Sequence, residues 1–371
     1  LAGQFQLPIF NALFNSPVAI PLASGFGSAA FRTNLTQNVV GSMFDTLRRS
    51  NTFRTNRLAN FFPGNFFVPN PFANSAIHVA NDSWSTYHGF ELEVRRRSSS
   101  GLFFQANYTL GKALTDQRFL TTQNEFQSYK TLANRSLDKN RAPFDVTHSF
   151  VVNFIYPLPF GRGKQFAGDA GSVLDKLIGG WSFQGVTRYA SGAPFTLTSN
   201  RVTTGSFAGG TPAGLRNMTA DQFRNFLGTF RTGRGVYWLD PASGLVNVSA
   251  TGASTAVICT ATQTTPCFEH PGAGVYGNLP YFGFDAPSFF NNDLSIIKQI
   301  SVPKVTETFN VDIRFEFFNA FNHPNFGTPV GTNISGSIDS TTFGQVSSIV
   351  DTVRGGGVVA RIIQWALRVN W

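Results

Sequence analysis

The chain has 371 residues, of which 40 are Phe and 36 Gly, while only 13% carry charge. The surface of a soluble enzyme normally holds more Lys, Glu, Asp and Arg, so the composition argues against one. The formal net charge is +9, but the basic residues are scattered and no nucleic-acid motif accompanies them, so nucleic acid is not an expected partner. The densest basic cluster, Arg95-Arg96-Arg97, stands at an expected strand end.

No run approaches the roughly 18 apolar residues that a membrane helix needs. A chain this aromatic can still face lipid, because barrel strands present only every second residue to it. The sequence starts at Leu1, with neither an initiator Met nor the charged-then-apolar opening of a signal peptide, and is expected to be a fragment or a processed piece.

No strand can be placed in residues 1–85, which are expected to be mostly loop with room for one further strand. From residue 86 onward, alternation takes over. Phe90, Leu92 and Val94 alternate with Glu91, Glu93 and Arg95; after Ser98-Ser99-Ser100-Gly101, Leu102, Phe104, Ala106, Tyr108 and Leu110 alternate with Gln105, Asn107 and Thr109. That pattern predicts a hairpin with a short polar turn. Phe150, Val152, Phe154 and Tyr156 predict a third strand. Trp181, Phe183 and Tyr189 predict a weaker fourth, interrupted by Gly185.

A strand near Leu294–Ile300 is expected to turn at Ser301–Lys304 into one from Val305 to Phe317. There Phe309, Val311, Ile313, Phe315 and Phe317 alternate with Asn310, Asp312, Arg314 and Glu316. The last segment places Ile363, Trp365, Leu367, Val369 and Trp371 on one face and Gln364, Ala366, Arg368 and Asn370 on the other. A period of two over about ten residues is a strand with one apolar and one polar face, long enough to cross a bilayer at a tilt.

The connections carry as much information as the strands. Long ones of roughly thirty, ninety and forty residues (113–145, 199–287 and 319–358) alternate with turns at 98–101 and 301–304 and a medium one near 157–178. All long loops then fall at one end of the sheet, as in bacterial outer-membrane barrels. Capping-box patterns at Ser172/Asp175 and Thr219/Gln222 predict two short helices, read as local ornaments. The expected fold is all-β: an antiparallel up-and-down meander of about seven strands, a partial transmembrane barrel. Seven strands are fewer than the smallest bacterial barrels use, so the sheet is expected not to close and to leave its first and last edges unpaired.

In order and spacing, a series of short motifs resembles the C-terminal barrel of TonB-dependent outer-membrane transporters, in the Oar-like subgroup. They are Tyr87-His88-Gly89, Tyr108-Thr109-Leu110-Gly111-Lys112, Phe144-Asp145-Val146-Thr147-His148, Leu158-Pro159-Phe160-Gly161-Arg162-Gly163-Lys164, Gly180-Trp181-Ser182-Phe183 and Ser191-Gly192-Ala193-Pro194-Phe195. They continue with Asn292-Asp293-Leu294-Ser295, the run from Glu316 through His323 to Gly327, and Arg361 through Gln364 to Trp371.

The resemblance implies a barrel of about 22 strands, closed by an N-terminal plug on which the TonB complex pulls. It also implies outer-membrane lipid and the barrel-assembly machinery as partners, and extracellular placement of the long loops and of residues 1–85. The plug and the TonB-contact segment are expected to lie outside this chain, and the resemblance names no solute. The final residue is Trp371 where the family usually has Phe; an aromatic there still suits the assembly signal.

Cys259 and Cys267 share the longest loop, and with only His270 nearby a loop disulfide is favoured over zinc. No metal or cofactor is expected. The histidines show no ligand spacing, and Asp145 with His148 is read as a pair at a loop edge rather than half of a triad; no catalytic residue is assigned and the chain is not expected to be an enzyme. Gly161-Arg162-Gly163-Lys164 lacks the earlier glycine of a phosphate-binding loop and is read as a polar turn.

Asp312, Arg314, Glu316 and Arg368 are expected to face the lumen. They form either a network of paired charges, the favoured reading, or a solute pathway or plug-docking surface. Trp181, Tyr189, Trp365 and Trp371 are candidates for interfacial aromatic girdles. Against the transporter stand a non-transporting barrel or surface adhesin, which a passenger domain in place of a plug would favour, and a secreted β-sandwich or propeller enzyme. The last needs paired carboxylates in an aromatic cleft, and none can be located.

Overall fold

The computed structural model describes residues 83–99, 101–116, 134–201, 211–302, 309–327, 336–346 and 360–371, a helix α1 at Ala29–Thr36, and a few isolated positions. Most of residues 1–85, and the part of the expected strand from 305 to 308, lie outside the described residues.

Seven strands form the main sheet: β1 (Ser85–Arg97), β2 (Phe103–Thr115), β3 (His148–Pro157), β4 (Trp181–Ala190), β5 (Phe289–Ser301), β6 (Asn310–Phe318) and β7 (Ile362–Asn370). They pair in chain order, every pair antiparallel, and a two-residue strand at Asn140–Arg141 adds to the end of β2. Among the described residues β1 and β7 do not pair with each other, so the meander stays open. No described helix is long and apolar enough to cross a membrane, which says nothing of strands.

Directly paired residues of antiparallel strands share a face, so the register tests the facing of the whole sheet. Phe104, Phe154, Gly185, Leu294, Phe317 and Ile363 stand side by side across six strands. The adjacent row is Tyr156, Phe183, Ile296, Phe315 and Trp365. Rows of opposite parity are mainly polar: Glu93, Asn107, Val151, Arg188 and Asn291 in one, Ile155, Gln184, Ser295, Glu316 and Gln364 in another. A one-residue slip in any pair would mix the faces. The alternation read in separate strands is therefore a single property of the sheet.

Gly185 does not interrupt β4, which runs unbroken through it. A Cβ at Gly185 would lie 2.6 Å from the Phe154 ring and 2.7 Å from Leu294. The glycine leaves the space that its two large neighbours fill on the apolar face. The Gly89 and Gly111 pair works alike on the polar face: the Tyr87 ring lies over both, within 2.9 Å of where either Cβ would be. Two of the short motifs, around Tyr87 and around Gly111, thus meet in one feature.

The short turn between β1 and β2 closes with Ser98 N donating to Leu102 O. Ser301 pairs with Asn310 and Val302 N donates to Phe309 O, so the two strands are still paired at 301–302, where the turn at 301–304 is expected to begin. The long connections (116–147, 191–288 and 319–361) all leave from the opposite end of the sheet.

The apolar core lies in those connections. Leu197, Phe223, Trp238, Leu239, Leu245, Phe268, Phe284 and Phe343 are fully buried in one cluster. Edge-on ring contacts hold it, with centroids 5.0 Å apart for Phe223 and Phe284, 5.1 Å for Phe268 and Phe343, and 4.8 Å for Phe195 and Trp238. Phe343 comes from the third long connection and the other rings from the second. These two loops form one folded cap, braced by small two-stranded ladders such as Leu227–Thr232 with Gly235–Leu239.

The two short helices need correction. α2 (Ser172–Ile178) starts after Gly171 with no side-chain cap; Ser172 is not its N-cap, and Asp175 accepts from the Arg162 backbone instead. α3 (Ala220–Arg224) does carry the Thr219/Gln222 capping box, yet it is no ornament, because its Phe223 is central to the cap core.

Candidate functional site: the rim and its folded cap

The strand ends meet the cap through buried polar residues. Asp145 is 2% exposed; it accepts from Ala113 N at 2.6 Å and from Arg141 Nε at 2.9 Å. The Arg141 guanidinium reaches on to Asp285 at 2.7 Å, joining the first long loop to the second. Burial would lower the pKa of Arg141, but Asp285 and Asp145 outweigh it and hold the value above its usual one. No hydrogen bond or ion pair joins His148 to Asp145 among the described residues; the His148 Nδ1 lies 2.9 Å from the Tyr108 hydroxyl. The two residues are thus separate anchors at a loop edge.

Asp293 is the second anchor. It accepts from Asn319 N at 3.0 Å and from Asn291 Nδ2 at 3.0 Å, and Arg188 lies 3.6 Å away. Asn319 and Asn322 take left-handed backbone with φ of 49° and 51°, a conformation that Asn tolerates better than most residues. The Asn319 side chain bonds both backbone groups of His323, and Asn325 Oδ1 accepts from Phe290 N at 2.7 Å. The Asn292-Asp293 motif and the Asn319–Asn325 motif are two halves of one knot at the sheet's rim.

Inside the cap, Ser199 Oγ lies 2.9 Å from His270 Nδ1, and His270 Nε2 lies 3.7 Å from Asp339. Sequence reasoning considered His270 only as a zinc ligand and missed this cluster, whose members lie up to 140 positions apart (199 to 339). Ser199 is fully buried. The cluster ties the second loop to the third, since Asn200 N also donates to Asp339 at 2.8 Å. Burial and then Arg201 lower the pKa of His270 against the opposing pull of Asp339.

Cys259 and Cys267 are joined, with Cα atoms 5.1 Å apart. Cys267 opens the short strand Cys267–Glu269, and Phe268 beside it is a core ring. A cleft of about 540 Å³ separates the cap from the strand ends, lined by His148, Tyr189, Arg224, Thr229 and Asp285 among others. Arg224 on its wall is already engaged by Asp221 and by the Gly283 carbonyl.

The four expected lumenal charges all lie on the polar face. Asp312 stands opposite Arg368, Arg314 opposite Ala366, and Glu316 opposite Gln364. Asp312 and Arg314 approach to 3.8 Å, while Glu316 and Arg368 join no ion pair among the described residues. The closer network on this face, Arg188 with Asp293, was not anticipated. Trp181, Tyr189 and Trp365 fall on the apolar face by register, and Trp371 continues the parity of Val369. Trp181 and Trp371 mark the short-turn end, Tyr189 the long-loop end, and Trp365 stands beside Phe315 within the band.

An open antiparallel meander, apolar on one face and polar on the other, with every long loop at one end, is barrel-wall architecture. Comparison with curated proteins and with solved structures finds no match. The family described as outer membrane beta barrel domain matches residues 28–364, most of the chain. The chain therefore belongs to the outer-membrane β-barrel family and is an integral protein of the outer membrane.

Proposed function

We propose that the chain is the C-terminal barrel segment of a TonB-dependent outer-membrane transporter, serving energy-coupled passage of a solute not yet identified. The observation that carries this reading is the open sheet. β1 is exposed along its whole length, β7 along most of it, and the two are unpaired with each other, which supports reading the seven strands as one portion of a wider wall. Barrels of about 22 strands in outer-membrane transporters are plugged, and the resemblance to TonB-dependent transporters supplies the plug and the TonB complex that pulls on it. The polar face, with Arg188, Asp293, Asp312 and Arg314, supplies a charged lining for a plug or a solute. The Trp371 end of β7 serves as the signal read by the barrel-assembly machinery, and the cap faces the exterior.

A second reading, a non-transporting barrel or surface adhesin, is favoured by one feature. The cap has its own aromatic core and a disulfide, more structure than a solute gate requires. In-cell crosslinking of the full-length protein to TonB separates the two, together with the coding sequence upstream of this segment. A plug with a TonB-contact segment, and a TonB crosslink, support transport. A passenger domain in that place and no crosslink would sink it.

A further inference from the structure

The connection between β3 and β4 lies at the short-turn end, which in bacterial barrels is periplasmic, and it carries the helix α2. At about 100° per residue, Val173, Leu174 and Leu177 fall on one stripe and Ser172, Asp175 and Lys176 on the other side. In a soluble protein such a stripe turns inward. Here it points away from the protein: Val173 is 85%, Leu174 49% and Leu177 71% exposed. On the other side Asp175 meets the chain, accepting from Arg162 N at 2.5 Å, while Ser172 and Lys176 are open to water.

Two side chains fix the position of this helix. Trp181 Nε1 donates to Leu177 O at 3.0 Å. Lys298 Nζ donates to Leu177 O at 3.3 Å and to Gly179 O, and sits 5.3 Å from the Trp181 ring centroid. Trp181 and Lys298 are directly paired, and Lys298 pairs with Ile313, so both project from the sheet's apolar face near its short-turn end. The C-terminal end of α2 is therefore held on the side of the sheet that meets lipid. Trp and Lys are the residues that membrane boundaries favour, one for its amphipathic ring and one for its long stem.

We propose that α2 is a membrane foot, laying Val173, Leu174 and Leu177 into the headgroup boundary of the periplasmic leaflet. The proposal rests on the assignment of the apolar face to lipid. Other occupants fit less well. Further barrel strands would join at β1 and β7, whereas β3 and β4 already have both neighbours. A plug would meet the polar face, and the cap lies at the other end. Phospholipid is what continues from the lipid-facing band onto the stripe, as it does for amphipathic helices lying in an interface.

The test uses the full-length protein in vesicles of phosphatidylethanolamine and phosphatidylglycerol. Nitroxide labels are placed singly at Val173→Cys, Leu177→Cys, Lys176→Cys and, as a control in the sheet, Leu367→Cys. The two cysteines of this segment are joined to each other and leave the introduced thiol to react. Labels at 173 and 177 are expected to collide more with oxygen than with a water-soluble nickel chelate, the label at 176 the reverse, and the label at 367 to lie deepest. If 173 and 177 are as open to nickel as 176 while 367 reads lipid, the foot is overturned and the barrel assignment stands. Protection of 173 and 177 from both reagents also overturns it, since protein then covers the stripe. An aqueous reading at 367 overturns the facing of the sheet and the foot with it.

Discussion

Replacing Phe343 with Ala should unfold the cap and leave the barrel wall intact. Phe343 is fully buried between Trp238 and Phe268, with ring centroids 5.7 and 5.1 Å away, and is the ring that the third loop contributes to the core. Losing it forfeits roughly 2 kcal/mol of transfer free energy. A residual void of about 80 Å³ at about 24 cal/mol per Å³ adds about 2 kcal/mol more. The total of about 4 kcal/mol is a large share of what a small folded unit has in hand. The wall should not respond, because its ladder uses only backbone pairing among β1–β7 and none of the cap rings. Hydrogen exchange should show protection falling at 236–239, 254–257 and 267–269, while β4, β5 and β6 keep theirs. Electrophoretic mobility of unheated protein should still report a folded barrel. Unchanged protection in the cap, or loss of the barrel along with it, would refute a separately folded cap.

Arg at Leu367 and Val369 should block assembly, since both face lipid at about 2–4 kcal/mol each near the midplane and less toward the interface; Arg at Gln364 and Asn370 should be mild. Equal heat-modifiability of the two sets would reverse the facing assigned from the register. Non-reduced peptide mapping should find Cys259 linked to Cys267, and removing the bond should cost the cap roughly 2–3 kcal/mol for so short a loop; two free thiols would end that expectation. His270 has a folded pKa below its unfolded value of about 6.5, so the unfolded chain binds more protons in acid. The stability it contributes is therefore present above that pH and lost as pH falls below it. Exchange at 198–199 and 337–343, corrected for intrinsic rates, should speed up at pH 5, and equal or greater protection there would contradict the mechanism.

Much of the wall was legible in the residues alone, because a strand between lipid and a polar interior must alternate with period two and nothing else in the chain imposes that period. Ile363 to Trp371 and Val311 to Phe317 declared their faces without reference to any neighbour, and the connection lengths fixed which end of the sheet each loop joins. Short-range chemistry was equally readable where its partners lie a few positions apart, as in the Thr219/Gln222 capping box. It misled at Ser172, where Asp175 had a nearer donor in Arg162, a contact that only the folded turn creates. The cap was invisible for a physical reason. Its core joins Leu197, Phe223, Trp238, Phe268 and Phe343 from irregular backbone, where no period marks the inward residue, so burial is decided by which loops meet. The Ser199–His270–Asp339 cluster, the Asp293–Asn319 knot and the anchoring of α2 by Lys298 have the same origin: each joins residues distant in sequence that only the closed tertiary arrangement brings within hydrogen-bonding or ion-pairing reach.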